Sequence, residues 1–284
     1  MYVEISFLNM RFTVHPIFLL LILQLCFSCT GKGNGAKEYL SDADRAYKSG
    51  NYPLAKLKID SIKILYPESF DEIKAGFELM QEVRMAENRR NIVFCDSMLH
   101  VNYALLNEML TKFDFVRDSR YQEFGEYYPK VYPHHSSLQR NGLRSGVREK
   151  GVLFIESILS DSSIKHNHIR VTSRDGSFAE TLPVTSDGLN YRFNTLDRGY
   201  EIVRYSGKDE NGVAQFIYTF QDDPVTVQFI GKRTITVPLS EVSRKGIAQS
   251  FELSSLLLNI EQLKMEKEKS EVLIRYLESR SDRR

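Results

Sequence analysis

The chain has 284 residues, 42% hydrophobic and 26% charged, which is material for one or two cores and excludes disorder as its default state. Its formal net charge of +1 excludes a global electrostatic pull toward nucleic acid or an acidic surface. Trp is absent while Tyr and Phe number 15 and 17, so core and interface aromatics come from those two.

The N-terminus speaks to location. Arg11 precedes an apolar run, Ile17 to Leu23 followed by Leu25, Cys26 and Phe27, and a small, polar stretch from Thr30 to Gly35 follows Ser28-Cys29. A run of about 11 apolar residues is shorter than the ~20 that span a bilayer and suits the h-region of an export signal. Met10-Arg11 makes a more usual signal start than Met1, because Glu4 is out of place in an n-region. Leu25-Cys26-Phe27-Ser28-Cys29, with a small residue before Cys29 and a Gly-rich tether after it, resembles a bacterial lipoprotein signal. That resemblance implies cleavage before Cys29 and lipidation of its thiol. An ordinary secretory signal cut nearby is the plainer alternative, and an uncleaved anchor is a third. Removing residues 1–28 takes away Arg11 and Glu4 together, so the net charge stays +1. On that resemblance Cys26 leaves with the signal and Cys29 would be acylated, which leaves Cys95 alone and no internal disulfide available in the mature chain. A buried small hydrophobe is the expected role of Cys95.

After a tether over 29–37, a helical region is predicted over 38–126. Ala46-Tyr47-Lys48-Ser49-Gly50-Asn51-Tyr52, Ala55, Ile62 and Pro67 resemble one tetratricopeptide unit, in which the Gly turns the chain and the small Ala lets two helices approach. No second copy follows at a 34-residue period, so a lone helical hairpin is expected rather than a peptide-binding superhelix. Ser69 with Glu72 forms a capping box for a long helix running from about Phe70 to Val116. Phe94, Met98, Val101, Leu105, Met109, Phe113 and Val116 step by three or four residues and predict one apolar stripe along it.

A Tyr/Pro-rich linker is predicted over 127–142, a stiff extended strap. His134 and His135 are adjacent, but neighbours point different ways and no ligand-spaced Cys or acid lies close, which argues against metal there. Over 143–239 the pattern switches to period two, with nine candidate strands: 143–150, 152–159, 166–173, 178–183, 190–194, 201–205, 214–220, 225–230 and 233–239. Asp175-Gly176, Asp187-Gly188, Asn211-Gly212, Asp223-Pro224 and Gly231-Lys232 punctuate them as turns. An antiparallel sandwich or partly closed barrel is expected. Asp222 and Asp223 read as turn residues, not as a catalytic pair. His166 and His168, two apart on a predicted strand, share a face and are the one weak candidate for a metal site or a pH-responsive pair. A third ligand would be needed, and the plainer expectation is two exposed or half-buried strand histidines.

The C-terminal segment 240–284 is predicted as a second long helix. Leu253, Leu256, Ile260, Leu263, Lys267, Ser270, Ile274 and Leu277 make a heptad seam with two polar positions. Its expected partner is the first long helix; a homodimeric coiled coil is the alternative. Arg280, Arg283 and Arg284 form a basic tail too slight for lipid or nucleic-acid binding.

The fold class expected is therefore α+β: a helical hairpin and long helix, an inserted antiparallel β domain, and a closing coiled-coil-like helix. This combination resembles a group of envelope lipoproteins from Bacteroidetes-type bacteria to which no activity is attached. The resemblance implies a lipid-anchored, periplasm-facing protein, since no acidic cluster follows Cys29. Absence of a nucleophile elbow, phosphate loop or zinc motif points to a non-enzymatic module that meets another envelope protein, with no cofactor and no nucleic acid. A ligand- or glycan-binding β domain is the second reading, and a metal-dependent activity at His166 and His168 the third.

Overall fold

The computed structural model describes residues 32–120, 122–132, 141–160, 164–185, 190–194 and 199–281. The predicted signal, Cys29, His134, His135, Arg283 and Arg284 lie outside them. The fold is mixed α+β with two antiparallel sheets. Among the described residues no helix is long and apolar enough to cross a membrane. The chain divides into two compact units, one made of the described residues up to Ile92 together with those from Ser270 on, the other Val93–Lys269.

In the first unit, α1 (Lys32–Lys48) and α2 (Tyr52–Leu65) form the expected hairpin, and α3 (Phe70–Leu110) begins beside them. Helix α1 starts inside the predicted tether, at Lys32, so the Gly-rich stretch is helical from there on. Asn51 caps α2 by accepting the Leu54 N–H. Ala43, Ala46 and Ala55 are buried where the helices meet, and Ile59, Met80 and Val83 fill the space between them. Small residues let the backbones approach, and the large ones supply most of the buried apolar area. Lys58 pairs with Asp42 at 2.8 Å, and Lys56 with Glu87 at 2.8 Å, tying α2 to α1 and α3.

In the second unit, α3 ends at Leu110, six residues before the predicted end. Phe113–Val116 is strand β1, and it pairs antiparallel with β2 (Glu126–Pro129), which runs from the last residue of the predicted helical region into the predicted linker. The extended conformation expected of the Tyr/Pro strap is thus used as an edge ladder. Strands β3 (Gly142–Arg148), β4 (Leu153–Ser160), β5 (His168–Ser173), β6 (Phe178–Glu180), β7 (Asn190–Asn194) and β8 (Gly199–Ser206) follow. The predicted strand over 214–220 is instead α4 (Val213–Thr219), which Gly212 opens at φ +82, a left-handed conformation that glycine adopts without strain. Strands β9 (Val225–Ile230) and β10 (Thr234–Pro238) lead into α5 (Glu241–Ser281). One sheet has the order β1-β2-β3-β4-β8-β7 and the other β10-β9-β5-β6, a sandwich-like pair rather than a closed barrel. Ile155, Leu159 and Tyr205 of the first sheet and Ile169, Val171, Val227 and Phe229 of the second share one core.

The two long helices run antiparallel, as their contacts show within each unit. In the second unit Leu106, Met109 and Leu110 of α3 pack with Leu253 and Leu257 of α5, and Lys267 Nζ meets Asp96 at 2.6 Å. In the first unit Asn91 Nδ2 donates to Ser270 Oγ at 2.8 Å. The two polar positions of the α5 seam are therefore matched by polar residues on α3. On α5 the predicted heptad face is the buried one, with Leu253, Ile260, Leu263, Ser270 and Leu277 all buried. Along α3 and into β1 the predicted stripe holds in part: Met98 and Met109 are half-buried and Phe113 is buried, whereas Phe94, Val101 and Leu105 are about half exposed and Cys95 and Asn102 are buried instead.

Candidate functional site

The best-built polar cluster lies between the two sheets. Along β4, alternation puts Leu153, Ile155, Ser157 and Leu159 on one face. Along β8 it puts Glu201, Val203 and Tyr205 on the same side, since Leu159 pairs with Glu201 and Ser157 with Val203. This face carries the core, and Ser157 and Glu201 are its polar members. Between β4 and β5 the segment 164–167 is not a strand; it drops His166 into the core at zero exposure.

Ser157 Oγ lies 2.7 Å from His166 Nε2, and His166 Nδ1 lies 2.8 Å from Glu201 Oε2. The Glu201 carboxylate also accepts the backbone N–H of Lys165 at 2.8 Å and of His166 at 3.0 Å. With a carboxylate at one side, Nδ1 carries the proton and donates to Glu201, leaving Nε2 to accept from the Ser157 hydroxyl. Burial pushes His166 below the ordinary range for histidine, outweighing the upward pull of Glu201, so the ring is neutral. Burial alone would raise Glu201, but the hydrogen bonds from Lys165 and His166 outweigh it and hold the carboxyl below its usual range. Lys165 sits at φ +53, a left-handed backbone that a non-glycine residue adopts at a cost, and the Glu201 carboxylate holds it there. Gly231 makes room for the segment: a Cβ there would lie 2.5 Å from the Ile164 carbonyl oxygen. The His166 ring meets Phe229 of the second sheet edge-on at 5.3 Å.

This chain of donors and acceptors has the connectivity of a nucleophile, a base and an orienting acid. Ser157 and His166 are both fully buried, so no carbonyl substrate reaches Oγ in this conformation. The arrangement's chemistry is that of a satisfied polar peg holding two sheets and a strained loop in register. Sequence reading finds His166 but misses Ser157 and Glu201; the available signal is a Ser and a Glu on the inward positions of otherwise apolar alternating strands.

His168 does not join His166. It starts β5, its Nδ1 faces Asn167 Oδ1 at 2.8 Å, and its Nε2 faces Glu180 Oε1 at 3.2 Å. Both ring nitrogens of both histidines are thus engaged, and the two do not share a strand face as predicted. Among the described residues no group of three His, Cys, Asp or Glu side chains is placed to hold a metal ion. Asp222 and Asp223 are exposed in the turn before β9. Cys95 is buried, and burial pushes its thiol up, which suits packing rather than reactivity.

A second cluster covers the other face of the first sheet. Arg204 lies between Glu126 at 2.7 Å and Glu156 at 2.7 Å, and Arg144 pairs with the other oxygen of Glu156. Tyr128 donates its hydroxyl to Glu126 at 2.7 Å, and the Arg204 guanidinium stacks over the Phe154 ring at 4.0 Å. Burial would lower Arg204, but the two carboxylates outweigh it and hold its pKa above the ordinary arginine value. Charges of both signs neutralise one another here, so the face is an ion-pair lattice spanning β2, β3, β4 and β8. Set against protein-family models, curated proteins and solved structures, the chain matches none of them.

Proposed function

We propose that the chain is a lipid-anchored envelope protein that acts without catalysis, as a structural or protein-interaction module displaying its β-sandwich. The observation that supports the non-enzymatic part is the sealed Ser157–His166–Glu201 cluster: this arrangement with catalytic connectivity, buried among the described residues, serves to hold the fold together. The location rests on the apolar run ending at Ser28-Cys29. The partner is another envelope protein, and the β unit supplies the surface.

The anchor is tested by growing cells with radiolabelled palmitate. Wild type incorporates the label; Cys29→Ser loses it and accumulates as the larger, uncleaved precursor. Normal maturation of Cys29→Ser would hand the segment to an ordinary secretory signal. Crosslinking mass spectrometry on intact cells then tests the interaction, with links from the β-sandwich to one recurrent envelope protein expected and their absence counting against it.

One observation favours a second reading, a glycan or small ligand on the β unit. Tyr191 and Phe193 are exposed on the edge strand β7, and Phe193 stacks on Tyr200 at 5.2 Å. Aromatic faces of this kind can stack on a sugar ring without Trp. A glycan array that stays silent for the wild-type chain sinks this second reading.

A further inference from the structure

The turn between α2 and α3 exposes large apolar side chains where a soluble surface would carry polar ones. Ile64 is 77% exposed, Phe70 76% and Leu65 54%, with the exposed Pro67 between them. Their neighbours Ile62 and Ile59 are buried, so α2 has spent its core-facing positions and carries a second apolar set at its end. The same turn adjoins the start of α1. Gly35, in the first turns of α1, lies against the Tyr66 ring, and Tyr39 packs on Tyr66 at 5.8 Å. Helix α1 begins at Lys32, three residues after Cys29, a gap that extended chain crosses in about 11 Å.

We propose that Ile64, Leu65 and Phe70 form an apolar tip that dips into the surface of a phospholipid bilayer beside the lipid on Cys29. This rests on the proposed anchor, because the anchor is what brings this end of the helical unit to a membrane. The chain's path selects the bilayer as occupant: the residue expected to carry acyl chains is within about 11 Å of the start of α1, which packs on Tyr66 in the same turn as the tip. Charge does not supply the attraction. Lys63 and Lys74 are offset by Glu68, Asp71 and Glu72 around the same turn, so apolar transfer is the driving term. The tip adds a second point of attachment beside the lipid and fixes the tilt of α1 and α2 against the membrane.

The test places an environment-sensitive fluorophore on Ile64→Cys or Phe70→Cys, in a Cys95→Ala background whose fold is checked by circular dichroism. The full chain, matured in cells, is reconstituted into phosphatidylethanolamine/phosphatidylglycerol vesicles with spin label on a fraction of the acyl chains. Lys48→Cys, at the far end of α1, is the control. Emission at 64 and 70 shifts to the blue and is quenched by the spin label, while emission at 48 keeps its value in water. The mass of the mature chain reports the acyl group separately. Aqueous emission at 64 and 70 in an acylated, vesicle-bound chain overturns the tip and leaves the anchor standing. Where the mass shows no acyl group, Cys29→Ser is introduced before labelling, and quenching at both sites then removes the anchor and keeps the tip. A blue shift without vesicles, accompanied by a doubled mass in solution, assigns the patch to a second copy and overturns the proposal.

Discussion

His166 is held neutral by burial between two sheets, and that state makes a pH-dependent contribution to stability. Its pKa in the folded chain is depressed, so the contribution is complete above the ordinary histidine value of about 6.5 and is lost as pH falls through the depressed folded value. Glu201 is shifted in the same direction, so its contribution is lost in a lower window, beneath the usual carboxylate range. Thermal melts should therefore show Tm falling as pH drops below about 6.5, and the fall should be shallower in His166→Gln. His166→Gln should also cost about 1–3 kcal/mol at neutral pH, because Glu201 and Ser157 lose a partner inside the core. A Tm profile identical in the two proteins would detach the pH response from His166. Arg204 poses the opposite case, a charge held between Glu126 and Glu156. Arg204→Met leaves two carboxylates facing each other with less than a fifth of their surface in water, and a loss of about 3–5 kcal/mol is expected in chemical denaturation. The companion Glu126→Gln in the same chain should recover part of that loss, and failure to do so would mean that Arg204 acts by its packing on Phe154.

The α3–α5 seam shows which elements were legible and why others were not. The heptads of α5 can be read directly because Leu and Ile fill most of its inward positions. The α3 register cannot, because its buried face carries Cys95 and Asn102 while the more apolar Phe94, Val101 and Leu105 point outward. Hydrophobicity alone misplaces the buried face between Phe94 and Leu105 while placing Met109 and Phe113 correctly, and Asn102 satisfies its side chain on its own helix by donating to the Met98 carbonyl. The end of α3 is invisible for a related reason: neither Gly nor Pro marks Leu110, and Phe113 and Val116 continue the period of three while serving β1. Val213–Thr219 reads as a strand because its aromatic and β-branched residues favour one, yet Val213, Ala214 and Ile217 are buried at helical spacing. Leu263→Ala should cost about 2–5 kcal/mol as a cavity in the seam. Val101→Lys should stay within about 0.5 kcal/mol of wild type, as a surface change. Equal losses for the two in guanidinium unfolding would restore the outward stripe as the true seam.

With 38 basic and 37 acidic residues, the molecule has too little net charge to be held on an anionic membrane by electrostatics. Oppositely charged side chains meet on the surface of α5, as in Lys264 with Glu261, Lys269 with Glu266, and Lys245 with Glu241. What attraction remains between exposed charges is screened beyond about 8 Å at physiological salt. An acyl chain works by a different term, about 0.8 kcal/mol for each methylene taken out of water, and salt strengthens rather than weakens it. Stable attachment needs two such signals, which the acyl chains proposed on Cys29 and the proposed apolar tip at Ile64 and Phe70 together would provide. Membrane fractions washed with molar salt should therefore retain the protein, while a mild non-ionic detergent should release it. Release by salt alone would show that charge holds the chain, and recovery in the soluble fraction without any wash would show that nothing does; either result removes the lipid from Cys29.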